Sequence, residues 1–458
     1  MSILPAITRP QDLIFGTAPR PLDCGFGLTL GAGLVYPEIN FTLPAMDITE
    51  CSWPDVRRQY SDIIEGVLRR AVQLGVEGVI VEFELLPPMT LRPHWGAEIT
   101  ALLREACDRF HDRDGLRTAL RVTPTDVRDN ERPPRMRDGH LLDVTLKSFE
   151  SCAAAGAHLL SIESTGGKEL HDEALLNADV PAIIFALGVL AVRDMRFLWG
   201  EIAAIARRTG TIPAGDTACG FANTAMVLAD RGMIPRVLAA VVRVAAAVRS
   251  LQAFEMGAAG PSKDCAYEGP YIKALTGVPI SMEGRSSACA HLSAVGNIAA
   301  ACADLWSNES VQNVRLLSAS APVVSMEQLI YDCRLMNRAA HEGRDSILAL
   351  QRWLVESDAP LDPQAWVLRP DVVVRVAAKM ASADTPLQMT VVAAREATDE
   401  LLRAAENGAL ALNDTERRWL DMIEAQLADL PVNDEALWEQ IQSTGADLPF
   451  RPDQYELK

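Results

Sequence analysis

Apolar runs rich in Val, Ile and Leu recur along this chain between stretches of helical spacing, and this alternation constrains the fold more than any other feature. A strand paired in parallel with its neighbour needs a crossover of a dozen or more residues, usually a helix, so repeated strand-helix units imply a parallel sheet. Eight runs fit: GVIVEFE (78–84), RTALRVT (117–123), HLLSIES (158–164), PAIIFAL (181–187), GTIPAGD (210–216), LQAFEMG (251–257), VPISMEG (278–284) and VRLLSAS (314–320). Between them, Glu98 to His111, Asp194 to Thr209, Ile234 to Ser250 and Ala290 to Trp306 show helical periodicity. Eight such units over about 270 residues match a closed (β/α)8 TIM barrel, the predicted fold. An open doubly wound sheet is the alternative, but its dinucleotide-binding form carries GxGxxG after the first strand, and none occurs there.

At 458 residues and 49% apolar content, the chain has material beyond one barrel. Residues 1–55, rich in Pro and Gly, read as an irregular N-terminal extension, 56–360 as the TIM-barrel catalytic domain, and 361–458 as a helical, acidic C-terminal addition. Nine cysteines without a CxxC pair suit a reducing compartment, where thiols stay free to bind metals. With no uninterrupted run of 18 apolar residues and no signal-peptide pattern at the start, the expectation is a soluble cytoplasmic protein. A formal charge of −18 disfavours nucleic acid and anionic membranes, both of which reward clustered Lys and Arg.

Three segments place metal-capable side chains where predicted strands end. LLSIESTGGKE (159–169) carries Glu163, GDTACGFANTAMVLAD (215–230) carries Cys219, and GPSKDCAYEGP (260–270) carries Cys265. On a barrel all three reach the C-terminal face, where barrel enzymes keep their active sites. Two thiolates and a carboxylate leave one position of a tetrahedral zinc open, which separates catalytic from structural zinc. Each residue also has a plainer reading, since free Cys is commonly a buried hydrophobe and a strand-end Glu is commonly solvated or paired.

The same face offers acids: Asp216, ranked first as proton donor or orienting residue, then Glu268, Asp264, Tyr267 and His291. Lys168 and Lys263 are near enough in sequence to offset the ligands' negative charge. Glu82 and Glu84 share one face of their strand and are read as pointing outward. Asn223 and Asn297 bind either substrate or backbone, and the Arg-rich segment RDNERPPRMR (128–137) reads as a solvated loop, with contact to a partner as the alternative.

From about Glu163 to Asn337, the segments GDTACGFANTAMVLAD, GPSKDCAYEGP, SMEGRSSACAHLSAVGNIAAACADLWSNESVQNVRLL and MEQLIYDCRLMN resemble the zinc-bearing subunit of methanol:corrinoid methyltransferases. The resemblance implies a zinc ion held by a Glu and two Cys at the top of a barrel, here Glu163, Cys219 and Cys265, with Cys289 in SSACAHLS as the other candidate for the last place. It implies transfer of the methyl group of methanol to cobalt(I) of a corrinoid. Hydroxide is a poor leaving group, the conjugate base of an acid of pKa about 15.7, and a metal brings bound water to about 7 at a favourable site. Corrinoid domains typically present D-x-H-x-x-G, which this chain lacks, so the corrinoid is expected on a separate protein, docked on a homodimeric core of zinc subunits. Other methyl donors (a methyl ether, methylamine or methylthiol), a zinc hydrolase or lyase, and a non-catalytic docking subunit are the competing expectations.

Overall fold

The computed structural model describes residues 4–41, 43, 46–263, 267–282, 320–443 and 448–457. Two strands, β1 (Thr17–Cys24) and β2 (Leu28–Ala32), form an antiparallel hairpin, and five more form one parallel sheet: β3 (Glu38–Phe41), β4 (Gly78–Glu84), β5 (Arg117–Thr123), β6 (Leu159–Ile162) and β7 (Ile212–Asp216), paired in that order. The sequence expectation coincides with β4 and β5 end to end, and contains β6 and β7. Both β4 and β5 are buried on both faces, with Glu82 and Arg121 as charged residues inside otherwise largely apolar stretches.

Among the described residues the sheet has five strands, not eight, and the differences have physical causes. PAIIFAL is helical: Asp179 caps Val180–Phe185 by accepting from Ala182 N, and the chain runs on through a π-turn at Ala186–Leu190 into the helix Ala191–Thr209. LQAFEMG lies mostly in the helix Ala247–Glu255. PAIIFAL is buried on almost all sides, which erases the helical period and leaves an apolar run that looks like a strand, whereas LQAFEMG is buried through Ala253 and then reaches the surface at Glu255 and Gly257. The span Arg236–Glu255 is long and apolar enough to cross a membrane by composition, yet it is almost wholly buried within the protein. In the segment read as an irregular extension, β3 pairs in parallel with β4. VPISMEG contributes an isolated parallel bridge, Ser262 to Ile280, within its described part, and VRLLSAS lies outside the described residues except for Ser320.

Backbone hydrogen bonds continue past β7. Ala259 N and Gly260 N donate to Pro213 O and Ala214 O at 2.7 and 2.8 Å, Ser281 N donates to Ser262 O at 3.1 Å, and Glu38 N donates to Met282 O at 2.8 Å, back on β3. The helices Pro93–Asp114 and Ala191–Thr209 each end on a left-handed glycine, Gly115 (φ 69°) and Gly210 (φ 72°), which turns the chain into β5 and β7 within two residues.

The sheet's two faces differ. Val79, Val81, Phe83, Leu120, Val122, Leu160 and Ile162 pack against the surrounding helices. The other face is apolar only at one end, where Ile80, Ala119, Leu159 and Ala214 pack with Leu28 and Leu30 of the hairpin. Further along the strands the same face turns polar, with Glu82, Arg121 and Ser161. The described residues of 361–457 are largely helical and share a core with Val180–Leu190 and the helices between 236 and 255.

Candidate active site

The polar face is bound together by charge. Arg121 Nε lies 2.7 Å from Glu38 Oε1 and 3.8 Å from Glu82 Oε2, and all three side chains are fully buried. Its Nη1 donates to Ser161 Oγ at 2.9 Å and Pro261 O at 3.1 Å. Burial pushes the Glu38 carboxyl up to about 7 against the opposing pull of Arg121, while Glu82 adds to the rise. Closer to the strand ends sits Lys263, 1% exposed, whose Nζ donates to Glu163 Oε1 at 2.6 Å and Glu84 Oε1 at 3.0 Å and lies 3.6 Å from Glu82 Oε1. Asn40 donates to the same Glu84 oxygen at 3.0 Å, and Thr123 Oγ1 donates to Glu82 Oε1 at 2.6 Å.

This corrects the outward reading of Glu82 and Glu84. Both turn toward Lys263, a partner 179 residues from Glu84, which no local pattern in GVIVEFE reveals. Sequence proximity alone points to Lys263, and its contact with Glu163 brings it into the candidate site.

Glu163 follows β6 directly, forms an isolated parallel bridge with Thr125, and is 33% exposed, open enough to meet a ligand. Cys219 is partly buried and opens a π-turn, Cys219–Asn223, that leads into the helix Thr224–Asp230. Such bulges are frequent at functional sites because they re-aim side chains at a helix start. Glu163 and Cys219 thus emerge at the same ends of β6 and β7, which are hydrogen-bonded neighbours. Paired strands lie about 4.8 Å apart, so the two residues arise from adjoining stretches of backbone. Cys265, Cys289, Asp264, His291 and Asn297 lie outside the described residues. Among the described residues, no three His, Cys, Asp or Glu side chains gather closely enough to hold a metal.

Asp216 takes a different position from the one its strand-end location suggests. The β6–β7 register shifts between Leu160 and Ser161, and Asp216 pairs with Ile162, a residue of the helix-facing core. That irregularity turns its carboxylate toward the surrounding helices. Oδ2 accepts from Trp199 Nε1 at 3.1 Å, and Oδ1 accepts from Thr217 N at 2.7 Å, Ser164 N at 3.4 Å and Arg249 Nη2 at 3.3 Å. Glu268, buried at the start of the helix Gly269–Thr276, accepts from Ala218 N at 2.7 Å, and Cys219 N donates to Thr217 Oγ1 at 3.2 Å. Lys168 heads the helix Lys168–Asn177, pairs with Asp172 at 2.5 Å, donates to Thr224 Oγ1 at 3.3 Å and runs beside Gly220.

The stretch after Glu163 is fixed from two further sides. Thr165 donates through N and Oγ1 to Asp126 Oδ2 at 3.0 and 3.1 Å, and Asp126 belongs to a fully buried triad with Arg128 (2.8 Å) and, beyond it, Asp194 (2.7 Å from Arg128). Gly167 N donates to the Tyr455 hydroxyl at 3.0 Å. In the Arg-rich segment, Arg128 joins that triad, Arg132 pairs with Glu169, Arg135 with Asp138, and Arg137 with Glu456. Each guanidinium is therefore matched by a carboxylate of this chain.

A family model described as "Methanol-cobalamin methyltransferase B subunit" matches residues 5–456. A "Methanol--corrinoid protein co-methyltransferase" from Methanosarcina barkeri (strain Fusaro) is 37% identical over 433 residues, covering 93% of this chain and 92% of that protein. A solved structure, the methanol:cobalamin methyltransferase complex MtaBC from Methanosarcina barkeri, contains a chain with a TM-score of 0.90 and 35% identity, covering 100% of this chain and 99% of that one.

Proposed function

The chain belongs to the methanol-cobalamin methyltransferase B subunit family, and from that premise we infer that it moves the methyl group of methanol to the cobalt of a corrinoid held by a separate protein. The match over residues 5–456 carries this conclusion, and the likeness to a chain of the MtaBC complex supports a corrinoid partner. In the reaction the carbon–oxygen bond of methanol breaks, the methyl group forms a bond to cobalt(I), which is oxidised to cobalt(III), and the oxygen leaves as hydroxide that takes up a proton.

The zinc ion is our finer reading, with Glu163, Cys219 and Cys265 as its ligands. The donor set suits it: a partly exposed carboxylate and a thiol stand at the ends of adjoining strands, and zinc takes both thiolate and carboxylate donors. When bound, zinc supplies a Lewis acid for an alcohol oxygen. Three anionic ligands exceed the ion's charge, and Lys263 answers that excess from within the protein, since its buried ammonium lies against Glu163. Asp216 and Glu268 are taken as orienting residues, because their carboxylates hold the backbone at Ser164, Thr217 and Ala218. Lys168 is assigned to bracing the helix start beside Cys219 through Thr224.

We also retain the (β/α)8 barrel, with β3 taken into it from the N-terminal segment. The hydrogen bonds from β7 through 259–262 and 279–282 back to Glu38 support it.

Metal analysis combined with spectroscopic detection of cobalt methylation, across methanol, a methyl ether, a methylamine and a methylthiol, tests the assignment. About one zinc per chain and turnover confined to methanol are expected. Cys219→Ala and Cys265→Ala are expected to lose both zinc and turnover. Full zinc and turnover in Cys219→Ala would refute the ligand set, and product formed without any corrinoid protein would refute methyl transfer.

A further inference from the structure

One buried guanidinium ties together the two loops that carry Glu163 and Cys219. Arg249 projects from the helix Ala247–Glu255 and is fully buried. Its Nη1 donates to Thr217 O at 2.7 Å, two residues before Cys219. Its Nη2 reaches Ser164 Oγ at 2.5 Å and Ser164 O at 3.3 Å, one residue after Glu163. The same nitrogen lies 3.3 Å from Asp216 Oδ1, and that oxygen accepts from both Ser164 N and Thr217 N. Finally, the guanidinium carbon stands 4.6 Å from the ring centre of Phe221, inside the π-turn that Cys219 opens.

The arrangement is expensive for stability alone. Burying a charge costs several kcal/mol, and apolar residues of similar size often serve a core as well or better. Here the charge has one carboxylate partner, at 3.3 Å, while its shorter contacts go to a carbonyl and a hydroxyl on two separate loops. A rigid planar fork with several donors is suited to setting the spacing of such acceptors, which a flexible ammonium or an apolar side chain does not do. Metal sites tolerate misplacement of about 0.5 Å before geometry degrades.

We propose that Arg249 is a positioning residue that fixes the separation of Glu163 and Cys219, and thereby the affinity and geometry with which they hold zinc. This rests on the reading of those two residues as ligands. Arg249 touches neither ligand side chain; it acts through Ser164, Thr217 and Phe221. Asp216 is the second half of the same device, because it engages both loops through their backbone N–H groups.

The test measures zinc affinity by chelator competition, and the thiolate-to-metal absorption of the cobalt(II)-substituted protein, in wild type, Arg249→Met, Arg249→Lys and Ser164→Ala. Folding of each metal-free chain is followed by circular dichroism. Losing an outer partner of a metal site typically costs about 10- to 100-fold in affinity, and that loss is expected for Arg249→Met, with an altered cobalt spectrum. Arg249→Lys is expected to recover part of the affinity, because one ammonium reaches some of the acceptors but not all. Wild-type affinity and spectrum in a folded Arg249→Met would overturn the proposal. Should Arg249→Met not fold, Ser164→Ala decides: weaker zinc binding supports the proposal, and unchanged binding overturns it. A wild-type protein that holds no zinc would instead overturn the ligand assignment beneath it, and one that holds zinc with Cys219→Ala unaffected would do the same.

Discussion

His158 makes the base of β6 sensitive to acid. Its Nδ1 accepts from Leu120 N at 2.9 Å while its own backbone N donates to Leu120 O at 2.9 Å, so the ring continues the β5–β6 ladder where the strand begins. An acceptor Nδ1 must be unprotonated. Burial, reinforced by the nearby Arg104 charge, lowers the His158 pKa from 6.5 to about 4. In the window between those values the unfolded chain binds a proton that the folded chain does not. Stability is therefore fully present above pH 6.5 and is lost as the pH falls toward 4, at up to about 1.4 kcal/mol per pH unit. Over the whole window the loss is about 3 kcal/mol. Asn in place of His158 offers a carbonyl oxygen to Leu120 N without titrating. Urea unfolding of wild type and His158→Asn between pH 4 and 7.5 is expected to show the wild type losing about 3 kcal/mol relative to the variant. A difference in stability that does not change with pH would refute the reasoning.

Two further substitutions probe the supports around Glu163. A Cβ at Gly166 would lie 2.3 Å from the Asp194 Cβ and 2.4 Å from its Oδ2, so Gly166→Ala is expected to push Asp194 off Arg128 and cost about 1–3 kcal/mol in thermal unfolding; wild-type stability would show that the triad yields freely. Tyr455→Phe removes the acceptor for Gly167 N and is expected to cost about 1–3 kcal/mol by the same assay, with no loss if water replaces the hydroxyl.

What the sequence displays, and what it hides, follows from where each segment's partners lie. Strands β4 and β5 are legible because burial of both faces leaves Val79, Ile80 and Val81 adjacent in one and Ala119 and Leu120 adjacent in the other. The segment PAIIFAL has the same composition for a different reason, burial within a helical layer, and only the cap at Asp179 distinguishes it. Strand β3 is hidden because EINF is four residues long and places Glu38 and Asn40 among buried polar groups, against the expectation that strands bury apolar side chains. The proposed ligands Glu163 and Cys219 draw notice in the sequence from their positions after strands, since such ends are where parallel sheets present chemistry. Arg249 is not visible: it lies in the apolar stretch VVRVAAAVRSLQ, and its acceptors are 32 and 85 residues away. Glu82 and Glu84 mislead for the same reason, because the cation that draws them together comes from Lys263.

The bond from Gly167 to the Tyr455 hydroxyl spans 288 residues, and this places a clock on synthesis. At about 5–20 residues per second, a ribosome that has just made Gly167 needs roughly 15 to 60 s to reach Tyr455. Throughout that interval the nascent polypeptide carries the turn after β6 without the hydroxyl that will later accept from its amide. The loop beside Glu163 is thus completed only after residue 455 has been made, long after the strands beneath it.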